Sequence, residues 1–478
     1  MLTNAISKQV ERLNALEIRL FKTNSADVEQ NDVFVCRKGI TVDGHDFAQH
    51  AVEQGAVAVI ANKPMALPVP VIVTESHYQS LALIKAFYKH PHKKLRHIGV
   101  TGTNGKTTVS HCLNQILNLE SRSAYIGTLG AQLADYEIPL NNTTPDGVTL
   151  LNIFSQMCHS VTEFNVMEMS SHALTQDRAG FVPLELGVIT NIGEDHLDFH
   201  RTKDGYVQAK LQLVDRIQSG GTLIVNLDDP HALAAIERAS KGVNIFSFST
   251  QNPLADLIAT RIETSPRGMR FSLSNGKECI EVNSPMPFSY NVENALAIAS
   301  VLSILDWDLS RVATAIEGLQ MPEGRAQFVG LSNGSIGLVD YAHNSHGLNA
   351  LLQAVREHAK RRLIVVVGVT GDRIQQAGDI GAMCARYAEL VIFTSDNPMG
   401  VVQSELFRVL RSRVGSTPYF EISDRAEAIK LAKQLSEKDD LIVVCGKGNE
   451  TFQYISDGKA QRHHYVGDLA ALTQVEAV

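Results

Sequence analysis

No stretch of the chain approaches the run of about 20 apolar residues that a membrane-spanning helix requires. A spanning segment is therefore not expected. The first residues, Met1–Leu16, are polar and carry no apolar core of the secretory kind, so a cytoplasmic location is expected. The six cysteines, at 36, 112, 158, 279, 384 and 445, include no CxxC pair. That argues against a disulfide framework and fits reduced structural thiols. There is no HExxH, no solenoid repeat and no low-complexity segment. Positive charge is also short. Lys plus Arg number 43 against 51 Asp plus Glu, a net charge of −8, which disfavours a nucleic-acid partner but allows a local basic pocket for an anionic substrate.

With 44% apolar and 20% charged residues, the chain has the composition of an ordinary globular protein. Its 478 residues suggest three domains at about 150 residues each. Strand-like runs alternate with helical stretches, which implies an α/β fold with parallel sheets covered on both faces. Residues 1–94 read as a small α/β domain, 95–327 as a central P-loop ATPase and 328–478 as a Rossmann-like domain. The basic run His90–His97 reads as a solvated linker between the first two.

The most informative stretch is Thr101-Gly-Thr-Asn-Gly-Lys-Thr-Thr108. It follows the apolar strand Leu95–Val100 and precedes a helix over 109–119, with apolar residues at 109, 112, 113, 116 and 117. Strand, glycine-rich loop and helix make a phosphate cradle: backbone N–H groups point at the anion and the helix N-terminus adds partial positive charge. Lys106 would reach the outer phosphates and the Thr107 hydroxyl would ligate Mg²⁺. Val100 stands where the first glycine of the usual pattern belongs. The bland alternative is a glycine turn at a helix start.

Other polar residues cluster just after predicted strands, where ligands sit in such sheets. Glu168 ends one strand and is a candidate metal ligand, with helix capping by Ser170 as the competing reading. Asn191-Ile-Gly-Glu-Asp-His196-Leu-Asp-Phe-His200 is dense in Asp and His, and His196 is a candidate ligand. Lys210, by itself, reads as an ordinary helix lysine. In the last domain the segments to inspect are Tyr341-Ala-His-Asn344, Thr370-Gly-Asp-Arg373, Ser395-Asp-Asn-Pro398 and Gly446-Lys-Gly-Asn-Glu450.

Taken in order, the 99–108 loop, Asn142-Thr-Thr-Pro-Asp146, Glu168-Met-Ser-Ser-His-Ala-Leu174, Asp195-His-Leu-Asp-Phe-His200, Tyr341-Ala-His343, Gly371-Asp-Arg373, Asp396-Asn-Pro398 and the 446–450 segment resemble the Mur ligases. Within them the likeness is to the branch acting on UDP-N-acetylmuramoyl-L-alanyl-D-glutamate, and it spans essentially the whole chain. The resemblance implies ATP- and Mg²⁺-dependent amide synthesis in peptidoglycan precursor assembly. An N-terminal nucleotide-sugar domain, a central ATPase and a C-terminal amino-acid domain are implied with it, as are a UDP-muramoyl peptide and a free amino acid as substrates. A monomer is expected. The substrate carboxylate attacks the γ-phosphate, and the amino group then attacks the resulting acyl phosphate.

Carried over by residue, the resemblance gives Lys106, Glu168, His196 and a carbamylated Lys210 as catalytic residues. Thr107, Glu168, His196 and Lys210 become the metal set. Gly102, Thr103, Asn104, Gly105, Lys106, Thr107 and Thr108 become the ATP loop, with Asn291, Asn294, Arg325, Asp340 and His343 completing the nucleotide site. Ser25, Thr41, Asn142, Thr143, Thr144, Ser170, Gln176 and Arg178 correspond to the UDP-muramoyl-peptide site. Arg373, Asp396, Asn397, Met399, Gly446 and Glu450 correspond to the amino-acid site.

Three departures stand out. Asn24-Ser25-Ala26 replaces the family's Asp-Ser-Arg, Asn449 replaces a histidine, and Met399 replaces the arginine of diaminopimelate-adding members. A thioether cannot make that arginine's bidentate bond to a distal carboxylate, so diaminopimelate is disfavoured. Two further readings follow: a paralogue using the same chemistry on another acceptor, and a non-catalytic ATP-binding regulator.

Overall fold

The computed structural model describes residues 2–39, 42–456 and 460–474. Its strands form three successive sheets and a hairpin. The first sheet is parallel: β1 (Phe21–Lys22), β2 (Val33–Val35), β3 (Ala58–Ala61) and β4 (Val71–Val73), adjacent in that order. Helices Leu2–Asn14 and His77–Phe87 pack on it. The polar N-terminal segment is thus a helix. Ile6, Val10 and Leu13 recur on one of its faces and join the core that holds Phe21, Val33 and Ile84.

The central sheet contains β5 (Arg96–Thr101), β6 (Ser123–Gly127), β7 (Gly130–Gln132), β8 (Glu137–Ile138), β9 (Phe164–Glu168), β10 (Leu184–Ile189), β11 (Ile217–Asn226), β12 (Asn244–Ser249), β13 (Leu257–Ser265), β14 (Gly268–Ser274) and β15 (Cys279–Ser284). Their order is β15-β14-β13-β12-β11-β10-β5-β9-β6-β7-β8. The stretch from β13 to β6 is parallel, with antiparallel strands added at both edges. Side chains alternate between two cores. On β9, Val166 packs into one and Met167 into the other. That is why these strands read as continuous apolar runs.

The third sheet has the order β16-β17-β21-β18-β19-β20, from β16 (Gln327–Gly330), β17 (Ile336–Asp340), β18 (Leu363–Val367), β19 (Leu390–Thr394), β20 (Tyr419–Ile422) and β21 (Leu441–Cys445). All neighbours are parallel except β16 and β17. The hairpin β22 (Phe452–Ser456) and β23 (Ala460–His464) follows.

The basic run His90–His97 is not a solvated linker. Lys93 and Lys94 are exposed, but His92 and His97 are buried. His97 Nε2 lies 2.8 Å from the His92 carbonyl, and its Nδ1 lies 2.9 Å from Asn165 Nδ2. Burial pulls both histidines down to about 4, so they are neutral polar spacers in a core rather than surface charge.

Candidate active site

In the central sheet β9, β5 and β10 are adjacent, and the site is built from the loops at their carboxyl ends. The loop after β5 is held tightly. Gly102 and Gly105 have φ of +154° and +87°, and a Cβ on either would overlap Thr190 Oγ1 or Asn294 Oδ1 respectively. Only glycine fits both demands. The helix begins at Lys106 and runs to Leu117, three residues earlier than its apolar spacing suggests, because the loop itself starts the helix. From the loop after β10, Asn191 Oδ1 accepts from the Asn104 N–H at 3.0 Å. Thr103 Oγ1 accepts from the Gly193 N–H at 2.8 Å. Lys106 Nζ donates to the carbonyls of Gly102 (2.8 Å) and Thr103 (3.0 Å).

Glu168, at the end of β9, is fully buried. Its carboxylate accepts from the Thr107 hydroxyl (3.0 Å), the Thr128 N–H (2.9 Å), the Thr128 hydroxyl (3.2 Å) and the Tyr125 hydroxyl. Ser170 caps the next helix through the Ala173 N–H at 3.2 Å. Cap and carboxylate are therefore separate residues, and the capping reading does not compete for Glu168.

Lys210 is buried, and its Nζ donates to the Gly102 carbonyl at 2.6 Å. Burial, then the neighbouring Lys106 charge, drives its ammonium well below the ordinary range. A neutral amine in that position is a nucleophile. His196, at φ +51°, is pulled down to about 2 by burial and is neutral. Its ligating atoms group with those of Asp198 and Asp372 within 4.8 Å.

A cavity of about 910 Å³ joins these residues to the third sheet. Of the expected residues it is lined by Thr103 to Thr108, Thr143, Glu168, Ser170, His196, Lys210, Asn291, Asn294, Arg325, Asp340, His343 and Arg373. Asn291 and Asn294 lie on helix Tyr290–Ile304 and hydrogen-bond to each other at 2.8 Å. Arg325 donates to the Thr107 hydroxyl at 3.0 Å, and its guanidinium lies 4.0 Å from the Tyr341 ring centroid. Asp340 accepts from the N–H groups of Ala326 and Ala342, each at 2.7 Å. His343 Nδ1 lies 2.7 Å from the Tyr341 carbonyl.

The remaining residues, among those described, lie outside that cavity. Thr144, Gln176 and Arg178 form a connected group beside β9. Thr144 donates to the Glu168 carbonyl (2.8 Å), Arg178 donates to the Thr144 carbonyl (2.9 Å), and Gln176 accepts from Arg178 Nε (2.9 Å). Asn142 is exposed. Ser25 is buried in a short 3₁₀ turn capped by Asn24, whose side chain accepts from the Ala26 N–H at 3.2 Å. Thr41 lies outside the described residues. Asp396, Asn397 and Glu450 converge on a residue absent from the expected set, Lys447. It is fully buried, 3.2 Å from Asp396, 2.8 Å from Glu450 and 3.3 Å from Asn397. Met399, at φ +50°, is 48% exposed.

Sequence reasoning missed Asp195, Lys447, Tyr125 and Thr128. The first two lie within motifs that were legible, whereas nothing in the sequence marks Tyr125 or Thr128 as partners of Glu168.

Comparison with known families agrees with this geometry. The Mur ligase family catalytic domain matches residues 17–98, the Mur ligase middle domain residues 100–302, and the Mur ligase glutamate ligase domain residues 324–448. The UDP-N-acetylmuramoyl-L-alanyl-D-glutamate--2,6-diaminopimelate ligase of Geobacillus thermodenitrificans is 35% identical over 452 residues, 92% of each chain. That of Bacillus velezensis is also 35% identical, over 92% of this chain and 91% of its own. A solved structure of a UDP-N-acetylmuramoyl-L-alanyl-D-glutamate--2,6-diaminopimelate ligase superposes with a TM-score of 0.63 at 27% identity, covering 95% of this chain and 94% of its own. With a phosphate loop, a buried carboxylate and a third sheet closing on both, the chain belongs to the Mur ligase family of ATP-dependent ligases.

Proposed function

We propose that this protein joins an amino acid to the D-glutamate carboxylate of UDP-N-acetylmuramoyl-L-alanyl-D-glutamate, converting ATP to ADP and phosphate. The observation that carries the reading is the approach of Arg325 to Thr107 at 3.0 Å. It brings the segment entering β16 onto the phosphate loop, and Asn344, after β17, lies 3.3 Å from Asn104 of the same loop, so a carboxylate activated there can meet an amine delivered from the other side. Residues 1–94 hold the nucleotide sugar, 95–327 the ATP, and 328–478 the amino acid.

The difficulty in this reaction is bringing two anions, a carboxylate and a triphosphate, into contact. Lys106 and the helix N-terminus stabilise the β- and γ-phosphates. Asn291 and Asn294 face the base, and Asp340 and His343 close over the nucleotide. The oxygen donors Thr107 and Glu168 suit a hard divalent cation, and His196 with carbamylated Lys210 would hold a second. A divalent cation held there would supply charge neutralisation at the transferring phosphoryl group. A neutral Lys210 amine supports the carbamate, because only the unprotonated form adds carbon dioxide.

Ser25, Thr41, Asn142, Thr143, Thr144, Ser170, Gln176 and Arg178 bind the UDP-muramoyl peptide. Arg373 and Glu450 hold the carboxylate and amino ends of the incoming amino acid, with Asp396, Asn397 and Gly446 around them. The relatives are named for 2,6-diaminopimelate. Half-exposed Met399 offers a thioether where a distal carboxylate needs a guanidinium, which favours an amino acid without a second carboxylate. The protein acts as a cytoplasmic monomer.

The deciding experiment is a screen of amino acids, diaminopimelate included, against UDP-muramoyl dipeptide, with mass detection of the product and parallel phosphate release. One amino acid giving both signals is the expected result. Phosphate release that needs no UDP-muramoyl dipeptide would remove the acceptor assignment and leave the reading of a paralogue acting on another acceptor.

A further inference from the structure

Asp195, in the loop after β10, is buried with its side chain 3% exposed. Oδ1 accepts from Arg373 Nε at 2.9 Å and from the His196 N–H at 2.8 Å. Oδ2 accepts from Asn344 Nδ2 at 3.0 Å. Arg373 and Asn344 come from two different loops of the third sheet, after β18 and β17, whereas Asp195 belongs to the central one. One carboxylate thus receives both loops of the docked unit. Asn344 extends the link. It lies 3.3 Å from Asn104 of the phosphate loop, and its Oδ1 caps helix Ser345–His358 through the Gly347 N–H at 2.8 Å.

The bond to Asp195 uses Arg373 Nε. The two terminal nitrogens make only longer contacts, Nη1 to Thr370 Oγ1 at 3.4 Å and Nη2 to His196 Nε2 at 3.3 Å. A guanidinium pinned at Nε presents its terminal fork in a fixed direction, and that fork matches a carboxylate. We propose that Asp195 is a positioning residue: it aims the Arg373 fork at the incoming amino acid's carboxylate. The proposal rests on the reading of Arg373 as an amino-acid contact. It assigns Asp195 no contact with substrate and no proton transfer.

The consequence is selective. Losing the charge at Asp195 loosens Arg373 and penalises the amino acid without touching the nucleotide grip of Lys106. A charge-assisted hydrogen bond of this kind corresponds to a change on the order of ten- to a hundred-fold. The test measures KM for each of the three substrates and kcat, with the other two substrates saturating, in Asp195→Asn, Arg373→Lys and the double variant. Asp195→Asn is near-isosteric and keeps an acceptor at Oδ1, so it disturbs folding least.

The expected result is a rise in amino-acid KM on the order of ten-fold or more in Asp195→Asn. KM for ATP and for the UDP-muramoyl dipeptide, and the Mg²⁺ concentration for half-activity, stay within about two-fold on the same grounds. In the Arg373→Lys background the same substitution adds little, because the group it acts through is already altered. Equal rises for all three substrates, or full additivity in the double variant, overturn the proposal. If Arg373→Lys leaves amino-acid KM unchanged, the Arg373 reading itself fails, and the proposal fails with it. A normal Asp195→Asn beside an impaired Arg373→Lys sinks the proposal alone.

Discussion

Replacing Lys447 with methionine isolates what a buried cation does behind the proposed amino-acid site. Its Nζ stands 3.2 Å from Asp396, 2.8 Å from Glu450 and 3.3 Å from Asn397, with none of its surface exposed. Burial opposes ionisation of Asp396, but Lys447 and Arg425 together hold its carboxyl below the usual range. Methionine keeps the volume and removes the charge, leaving a buried carboxylate and a partly buried one short of a partner. Breaking such a pair from one side costs about 3–5 kcal/mol. For a unit of roughly 150 residues each kcal/mol is worth about 2–4 °C in Tm, so the transition of the C-terminal unit should fall by about 10 °C. Differential scanning calorimetry resolves this from the central unit. Neutralising the partners as well, with Asp396→Asn and Glu450→Gln, should recover much of the loss, because no uncompensated charge then remains. A fall below about 2 °C in Lys447→Met would refute the reasoning, since the carboxylates would then have found solvation the structure does not offer. So would a triple variant no more stable than the single one.

Lys210→Ala should abolish turnover while leaving the fold intact, and short carboxylic acids should restore part of it by occupying the carbamate's place; unchanged turnover would exclude the carbamate. Glu293 lines the nucleotide cavity and is raised to about 7 by burial and then by Asp228, against a hydrogen bond from Asn226 at 2.9 Å. A raised carboxyl stabilises the fold below its unfolded value and loses that contribution as pH rises to about 7. The nucleotide-free protein should therefore lose on the order of 3 kcal/mol relative to Glu293→Gln between pH 4.5 and pH 8, read as diverging Tm curves; parallel curves would count against it. Met399→Arg should lower the KM for diaminopimelate several-fold relative to a monocarboxylic amino acid, and no shift in that ratio would mean that position 399 does not face the side chain.

How much of this was legible in the sequence depends on how local the signal is. The phosphate loop is local. Two glycines, a lysine and four hydroxyls within eight residues pick out the loop after β5, and the backbone demands at Gly102 and Gly105 account for the spelling. The buried strands were equally plain, since a parallel strand covered on both faces is an unbroken apolar run. The helix Leu2–Asn14 was less so, because its stripe at 6, 10 and 13 is narrow and lies in a polar segment. The run at 90–97 was misread because charge in a sequence does not say which side chains fold inward; His97 is neutral and belongs to a core. Glu168 was found from its position at a strand end, yet the residues that hold it, Tyr125 and Thr128, lie about 40 positions away and carry no motif. Asp195 and Lys447 sat inside recognised motifs and were passed over, because their work is done against residues of other loops.

The charges around the phosphate loop show why Lys210 and the metal belong to one argument. Lys106, Arg325 and Arg373 bring basic groups and Glu168 and Asp195 acidic ones, while burial and then Lys106 depress the Lys210 ammonium. Asp228, Asp229, Asp340 and Glu357 line the same cavity, so the protein alone offers no net positive charge to a carboxylate and a triphosphate that must touch. Carbamylation of Lys210 would add a further negative charge. Taken by itself, such a change opposes the reaction it serves. It helps only if the added anion recruits more charge than it contributes, which a divalent cation does and a monovalent one does not. Under the proposed reaction the depressed lysine, the oxygen donors around Glu168, Arg325 just before β16 and Arg373 after β18 thus make sense together: the chain's own residues set the place and direction of charge, and a bound cation would supply its amount.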